Sequence, residues 1–282
     1  MTDLVRKLLT NPRARRRAGA AILILFLSGL GPLGSQFSPE EIEQRPQWEE
    51  FLSTAAVTGE EQMGGREAVT QPWKLTLEKD GIVRKALWKN PEGRMGGYIE
   101  GWRYEIAAYL LDKHLGLNMV PPTVEVRFRG DRGSCQLWID DVMSLKHKEE
   151  NKIPVPGGLT LVKWNRATYL QRAFDNLIAN EDRHQNQILI TKDWRLILID
   201  HSRSFRTSKK FTTSLINKDK PMSALPRVFV ERLKELDAEG IAAATAGYIT
   251  DAEIAAILAR RDLILAEIDK LIARDGEIQV LY

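Results

Sequence analysis

Phe174-Asp175-Asn176-Leu177-Ile178-Ala179-Asn180-Glu181-Asp182-Arg183-His184-Gln185-Asn186-Gln187-Ile188-Leu189-Ile190, continuing as Thr191-Lys192-Asp193-Trp194-Arg195-Leu196-Ile197-Leu198-Ile199-Asp200-His201-Ser202-Arg203-Ser204-Phe205, is the most informative segment of this 282-residue chain. Upstream, Trp164 to Asn180 places Ala167, Leu170, Phe174, Leu177 and Ile178 at helical spacing, so a helix runs into the polar cluster. Ile188–Ile190 and Leu196–Ile199 are apolar at successive positions, which predicts two short strands buried on both faces. Lys192-Asp193-Trp194 supplies the turn between them. With arms of equal length, the hairpin returns Asp200 beside the Asp182–Gln187 loop. Two carboxylates and several amides then face one cleft.

Phosphoryl transfer needs such a set. One carboxylate orients or deprotonates the acceptor hydroxyl, another holds Mg²⁺ or Mn²⁺ on the phosphates, and a side-chain amide often completes the metal shell. A lone Asp-Arg-His triplet is weak, since such acids commonly cap helices or form surface ion pairs. Followed by a hairpin that ends in Ile-Asp-His, the triplet is far more specific.

On these residues the segment resembles the catalytic core of atypical kinases related to the Golgi casein kinases of the secretory pathway, the HipA-like kinases and the phosphatidylinositol kinases. It is most similar to uncharacterised bacterial members whose core reads Phe-Asp, then Asn-x-Asp-Arg, then Ile-Asp-His-(Ser/Thr)-Arg. The resemblance spans roughly 64–282. It implies a two-lobed kinase-like fold, ATP as phosphate donor, Asp182 as catalytic aspartate and Asp200 as metal-binding aspartate. Arg84-Lys85-Ala86-Leu87-Trp88-Lys89 looks like the strand bearing the phosphate-contacting lysine. Lys89 aligns, and Lys85 is a poorer candidate. The helix carboxylate that holds such a lysine is then Glu105, with Glu100 as runner-up. Gly64-Gly65, with Thr70-Gln71-Pro72 after it, is a weak candidate for covering the phosphates.

One position departs from the family. An asparagine is expected five residues after the catalytic aspartate, and Gln187 stands there with Asn186 one earlier. Three outcomes are open: Gln187 reaches the metal from its longer stem, Asn186 shifts in, or metal binding is degraded and the protein is a pseudokinase. His184 and His201, two of the four histidines, lie in the motif but lack metal-ligand spacing, so they read as orienting or structural.

The remainder fits an α+β chain. Trp73–Leu77 and Ile82–Trp88 read as strands joined by Lys79-Asp80-Gly81, an Asp-Gly hairpin signal. A helix from Trp102 to Leu115 stops at Gly116. Val124–Arg129 and Cys135–Ile139 read as a further strand pair, 143–161 as a loop, and Thr250 with Glu253 as a capping box opening a C-terminal helix. The expected organisation is a linker over 36–65 with some helix from Pro46 to Phe51, a small β-rich nucleotide-binding lobe over 66–141 and a mainly helical catalytic lobe over 142–282. Residues 207–225 read as a solvated basic surface.

Charge is unevenly spread. Lys and Arg number 41 against 38 acids, but residues 1–34 hold six of the former and one of the latter, leaving 35 against 37. A body of about −2 calls for no nucleic-acid partner. Arg13 and Arg15-Arg16-Arg17 precede an uncharged run from Ala18 to Phe37, the pattern of a signal peptide or a membrane anchor over 1–35. That places the protein at, or across, a membrane. Cys135 is the single cysteine, which excludes an internal disulfide. The function expected is transfer of the ATP γ-phosphate to a hydroxyl, on a protein ahead of a lipid or small molecule, with a nucleotide-binding module lacking turnover as the competing reading.

Overall fold

The computed structural model describes residues 35–64, 71–213 and 221–282. Its first elements are helices α1 (Pro39–Glu43) and α2 (Arg45–Thr54) and an edge strand β1 (Ala56–Gln62). The helix expected from Pro46 to Phe51 is present within α2, but the linker reading of the rest of 36–65 is corrected. Ser38 caps α1 in a capping box with Glu41, and α2 sends Phe51 and Leu52 into a core. β1 escapes a periodicity reading because six of its seven residues are exposed. Its main-chain pairing with the following strand is supplemented by the Thr58 hydroxyl on the Thr76 carbonyl and by the Glu60–Arg129 ion pair.

Strand β2 (Trp73–Lys79) pairs antiparallel with β3 (Ile82–Lys89). Asp80 (φ 53°) and Gly81 (φ 75°) take the left-handed backbone that a tight hairpin turn requires. A short hairpin, β4 (Glu92–Met95) and β5 (Tyr98–Gly101), leads into α3 (Trp102–Leu115). Gly116 (φ 67°) closes α3 in the left-handed form, donating its N–H back to Asp112 and Lys113 carbonyls. β6 (Thr123–Phe128) and β7 (Asp131–Leu137) complete a five-stranded sheet in the order β1-β2-β3-β7-β6. A small core of Phe51, Leu52, Leu75, Leu77, Ala86, Trp88, Phe128 and Cys135 lies beneath it.

The expected loop at 143–161 contains β8 (Val142–Ser144) and the six-residue α4 (Leu145–Glu150), capped by the Ser144 hydroxyl. So short a helix buries only Lys148 and leaves no apolar period to read. The chain then becomes helical: α5 (Leu159–Leu177), α6 (Arg227–Glu235), α7 (Ala238–Ala244), α8 (Asp251–Asp275) and α9 (Glu277–Val280). Thr250 and Glu253 form the expected capping box on α8. These helices share a large core that also takes Ala107, Ala108, Leu111 and Leu115 from α3. Helix α3 thus belongs to the helical C-terminal region by packing and to the β-rich N-terminal region by sequence.

Strands β9 (Ile188–Thr191) and β10 (Leu196–Leu198) pair with Leu198 opposite Ile188, and β8 adds to the other edge of β9. All three β10 residues are buried. The expected anchor segment lies outside the described residues, as do Gly65 and Thr70 of the phosphate-cover candidate and 214–220 of the basic surface. No described helix is long and apolar enough to cross a membrane.

Candidate active site

The hairpin delivers its last residue where the equal arms predicted. The Ile199 N–H donates to the Gln187 carbonyl at 3.1 Å, and Asp200 follows with φ 61°. A non-glycine residue in the left-handed region costs of order 1 kcal/mol, least for Asp and Asn. Here the turn aims the carboxylate at two side chains. Lys89 Nζ donates to Asp200 Oδ1 at 2.7 Å, and Gln187 Nε2 donates to Oδ2 at 3.1 Å. Lys89 also donates to Glu105 Oε1 at 2.6 Å.

Each partner of this triad comes from a different element. Lys89 ends β3, where Gly133 of β7 lets the strands approach: a Cβ there would meet the Lys89 carbonyl at 2.5 Å and the Trp88 ring at 2.6 Å. Glu105 lies in the first turn of α3, and its Oε2 accepts the His201 backbone N–H at 2.9 Å. One helix carboxylate therefore fixes both the lysine and the turn carrying Asp200. Lys89 and Glu105 are buried, whereas 37% of the Asp200 side chain remains exposed. Burial opposes charge on all three. The mutual attraction wins, so Asp200 and Glu105 are held below the ordinary carboxylate range and Lys89 above the ordinary lysine range. Lys85 is exposed.

The loop after α5 is built on Arg183. Its guanidinium makes two bonds to Asp175 through Nε (3.1 and 3.0 Å) and a third through Nη2 (3.0 Å). Nη1 donates to the carbonyls of Gln187 (3.1 Å) and Ile199 (2.6 Å), tying the loop to both ends of the hairpin. Nη2 also lies 2.8 Å from His201 Nε2. An arginine can only donate, so this nitrogen accepts and His201 is neutral; burial lowers its pKa further. Ala179, at φ 49°, makes the bend that releases the loop from the helix.

Asp182 is half-buried at the loop's tip. Asn180 Oδ1 accepts its N–H at 3.0 Å, and Arg203 Nη1 lies 3.2 Å from its Oδ1. Arg203 donates at 2.5 Å to Glu100, which is 2% exposed. The runner-up partner for the lysine is therefore committed elsewhere. Gly101 N–H to the Ser202 carbonyl, 2.9 Å, adds a second link between β5 and the segment after Asp200.

The structure brings Lys89, Glu105, Asp200 and Gln187 together and sets Asp182 beside them through Arg203. Asn186 is exposed; its backbone N–H donates to His184 Nδ1 at 3.3 Å, and no contact joins it to Asp200. The Gln187 amide is oriented by its neighbours. Its Oε1 accepts the His184 N–H at 3.3 Å, which turns its NH₂, not its oxygen, toward Asp200. Arg183, Asp175 and Arg203 were not singled out as site residues from the sequence. The available signal was Asp175, an acid among the apolar positions of α5, eight residues before a buried arginine.

No family model matches the chain. It is 27% identical over 207 residues to Protein Rv2133c of Mycobacterium tuberculosis, covering 64% of this chain and 72% of that one. Among solved structures, hydra Fam20, determined with sugar, is similar at a TM-score of 0.62 and 16% identity over 83% of this chain and 90% of that one. The fold is kinase-like. A Helicobacter pylori proinflammatory kinase, CtkA, is similar at a TM-score of 0.47 and 13% identity, over 82% of this chain and 99% of that one. The Lys89–Glu105 pair links strand to helix, and Asp182 and Asp200 bracket the β9–β10 hairpin.

Proposed function

We propose that this protein transfers the γ-phosphate of ATP, with Mg²⁺ or Mn²⁺, to a hydroxyl on a protein acceptor. The observation that carries the reading is the buried Lys89 amine, 2.6 Å from Glu105 and 2.7 Å from Asp200. A lysine fixed this way is a point charge ready for phosphate oxygens. The Asp200 carboxylate suits a hard divalent cation, which takes oxygen ligands. Among the described residues no group of three or more acid, histidine or cysteine ligands forms a cage. A Mg²⁺ ion on a nucleotide is bound through one or two carboxylates plus phosphate oxygens and water. Asp200 would hold the ion, with Gln187 or Asn186 beside it, and the ion would neutralise charge on the phosphates.

Asp182, at the open end of the loop, orients the acceptor hydroxyl and takes its proton. Arg203 beside it balances charge as the hydroxyl approaches. Lys89 positions the donor phosphates, and Glu105 keeps the lysine aimed. A second reading, nucleotide binding without turnover, is favoured by one contact: the Gln187 NH₂ sits on the Asp200 oxygen that a metal would use.

Turnover separates the two. The full chain should hydrolyse or transfer ATP in the presence of Mg²⁺ or Mn²⁺, and Asp182→Asn should lower the rate by about 10²–10⁴-fold, the usual loss for a positioned acid–base group. Wild type and variant equally inert with both metals, while ATP plus metal still raises the melting temperature, would establish the second reading. Absence of both turnover and thermal protection would remove the nucleotide from the account.

A further inference from the structure

The N-terminal end of α5 is unlike the rest of the helical region. Leu159, Leu161 and Val162 are 78%, 42% and 44% exposed. Lys163 is exposed beside them, and Arg166 lies 3.8 Å above the Tyr282 ring. The helix carries three basic residues, Lys163, Arg166 and Arg172, against one acid, Asp175, which is turned inward onto Arg183. Apolar side chains flanked by cations and an aromatic ring are the signature of a surface that lies at a lipid–water interface.

A second observation concerns the chain's entry. Lys163, Arg166 and Tyr282 line a cavity of about 350 Å³ together with Ser35, Gln36, Asp193 and Arg195. Ser35 is the first described residue, and its position is fixed. Asn118 donates to its hydroxyl at 3.0 Å, the Gln36 N–H donates to the Leu117 carbonyl at 3.1 Å, and Arg195 donates to the Gln36 carbonyl at 2.8 Å. The 34 residues before it include the uncharged run that begins at Ala18. Arg195 pairs with both Glu41 and Asp193, which leaves one surplus carboxylate against the two cations Lys163 and Arg166. None of the ion pairs among the described residues uses Lys163 or Arg166, so their charge is available to an external anion.

We infer that this face is apposed to a membrane: Leu159, Leu161 and Val162 enter the interface, and Lys163 and Arg166 meet anionic lipid headgroups. The inference rests on residues 18–34 as a membrane-directed segment and is independent of catalytic activity.

The test uses the full chain reconstituted in phosphatidylcholine vesicles, with and without phosphatidylglycerol. Val162→Cys and Leu159→Cys are labelled with an environment-sensitive fluorophore, with Ile82→Cys, an exposed residue at the β2–β3 turn, as control. Cys135 is buried and stays unlabelled. Nitroxide-bearing lipids should quench the labels at 159 and 162 several-fold more than at 82. Adding Lys163→Glu and Arg166→Glu should cut that excess in the phosphatidylglycerol vesicles, with an unchanged circular-dichroism melt showing that the fold is kept. Equal quenching at 162 and 82, or a full chain that does not float with vesicles of either kind, would overturn the inference.

Discussion

The guanidinium of Arg203 stands between two carboxylates of unequal exposure, Glu100 in the interior and Asp182 at the mouth of the cleft. Such a residue does two jobs with one charge. It neutralises a buried acid whose second oxygen has no partner among the described residues, and it steadies the proposed base. Removing one member of a buried pair strands the other, at about 3–5 kcal/mol. Arg203→Met should therefore lower the urea midpoint strongly, and Arg203→Met with Glu100→Gln should recover most of the loss. A double variant as unstable as the single would show that Glu100 is not what Arg203 stabilises. The motif made Asp182 and Asp200 legible. Arg203 was part of the same motif, but its partner comes from β5, over a hundred residues upstream, and no local pattern announces a pairing at that separation. Gln187 shows a further limit. Its place in the loop was readable, whereas the direction of its amide depends on which backbone N–H lies beside it.

At the scale of elements, helix α3 was read with both its ends because Gly116 and the apolar face leave little choice. The β9–β10 hairpin was likewise fixed by two apolar runs of matched length. Strand β1 and helix α4 were missed for opposite reasons. β1 has no buried face, and α4 is too short to show a period. A consequence of α3 that its pattern does not reveal is the burial of Asp112. Desolvation raises its pKa to about 7, against the backbone N–H of Met119 and the nearby Arg45, which act to lower it. An unfolded aspartate titrates near ~3.9. Between these values the folded chain keeps a proton that the unfolded chain has released, so this carboxyl makes stability fall as pH rises from about 4 to about 7. Asp112→Asn keeps an acceptor for Met119 and removes the titration. Its melting temperature should exceed that of wild type near pH 8, and the gap should close toward pH 4. A gap constant across that range would assign the effect to packing instead.

Over the whole molecule, the body's small net charge, the β-rich half and the helical half are all legible in the sequence. The way the halves meet is not. The smaller core lies under the five-stranded sheet, the larger one holds α3 and the helices after it, and Lys89 crosses from the first to the second. Three-dimensional closure of 16 residues to Glu105 and 111 to Asp200 is a property of packing. Sequence order suggested it only because a related motif does the same. Phosphoryl transfer here requires Lys89 to face a bound nucleotide. The most direct measurement is covalent labelling by an ATP analogue with a lysine-reactive acyl phosphate, read by peptide mass spectrometry on the full chain. Lys89 should be the modified lysine, protected by excess ATP with Mg²⁺. Labelling confined to surface lysines such as Lys85, or modification of Lys89 that ATP does not suppress, would contradict the account.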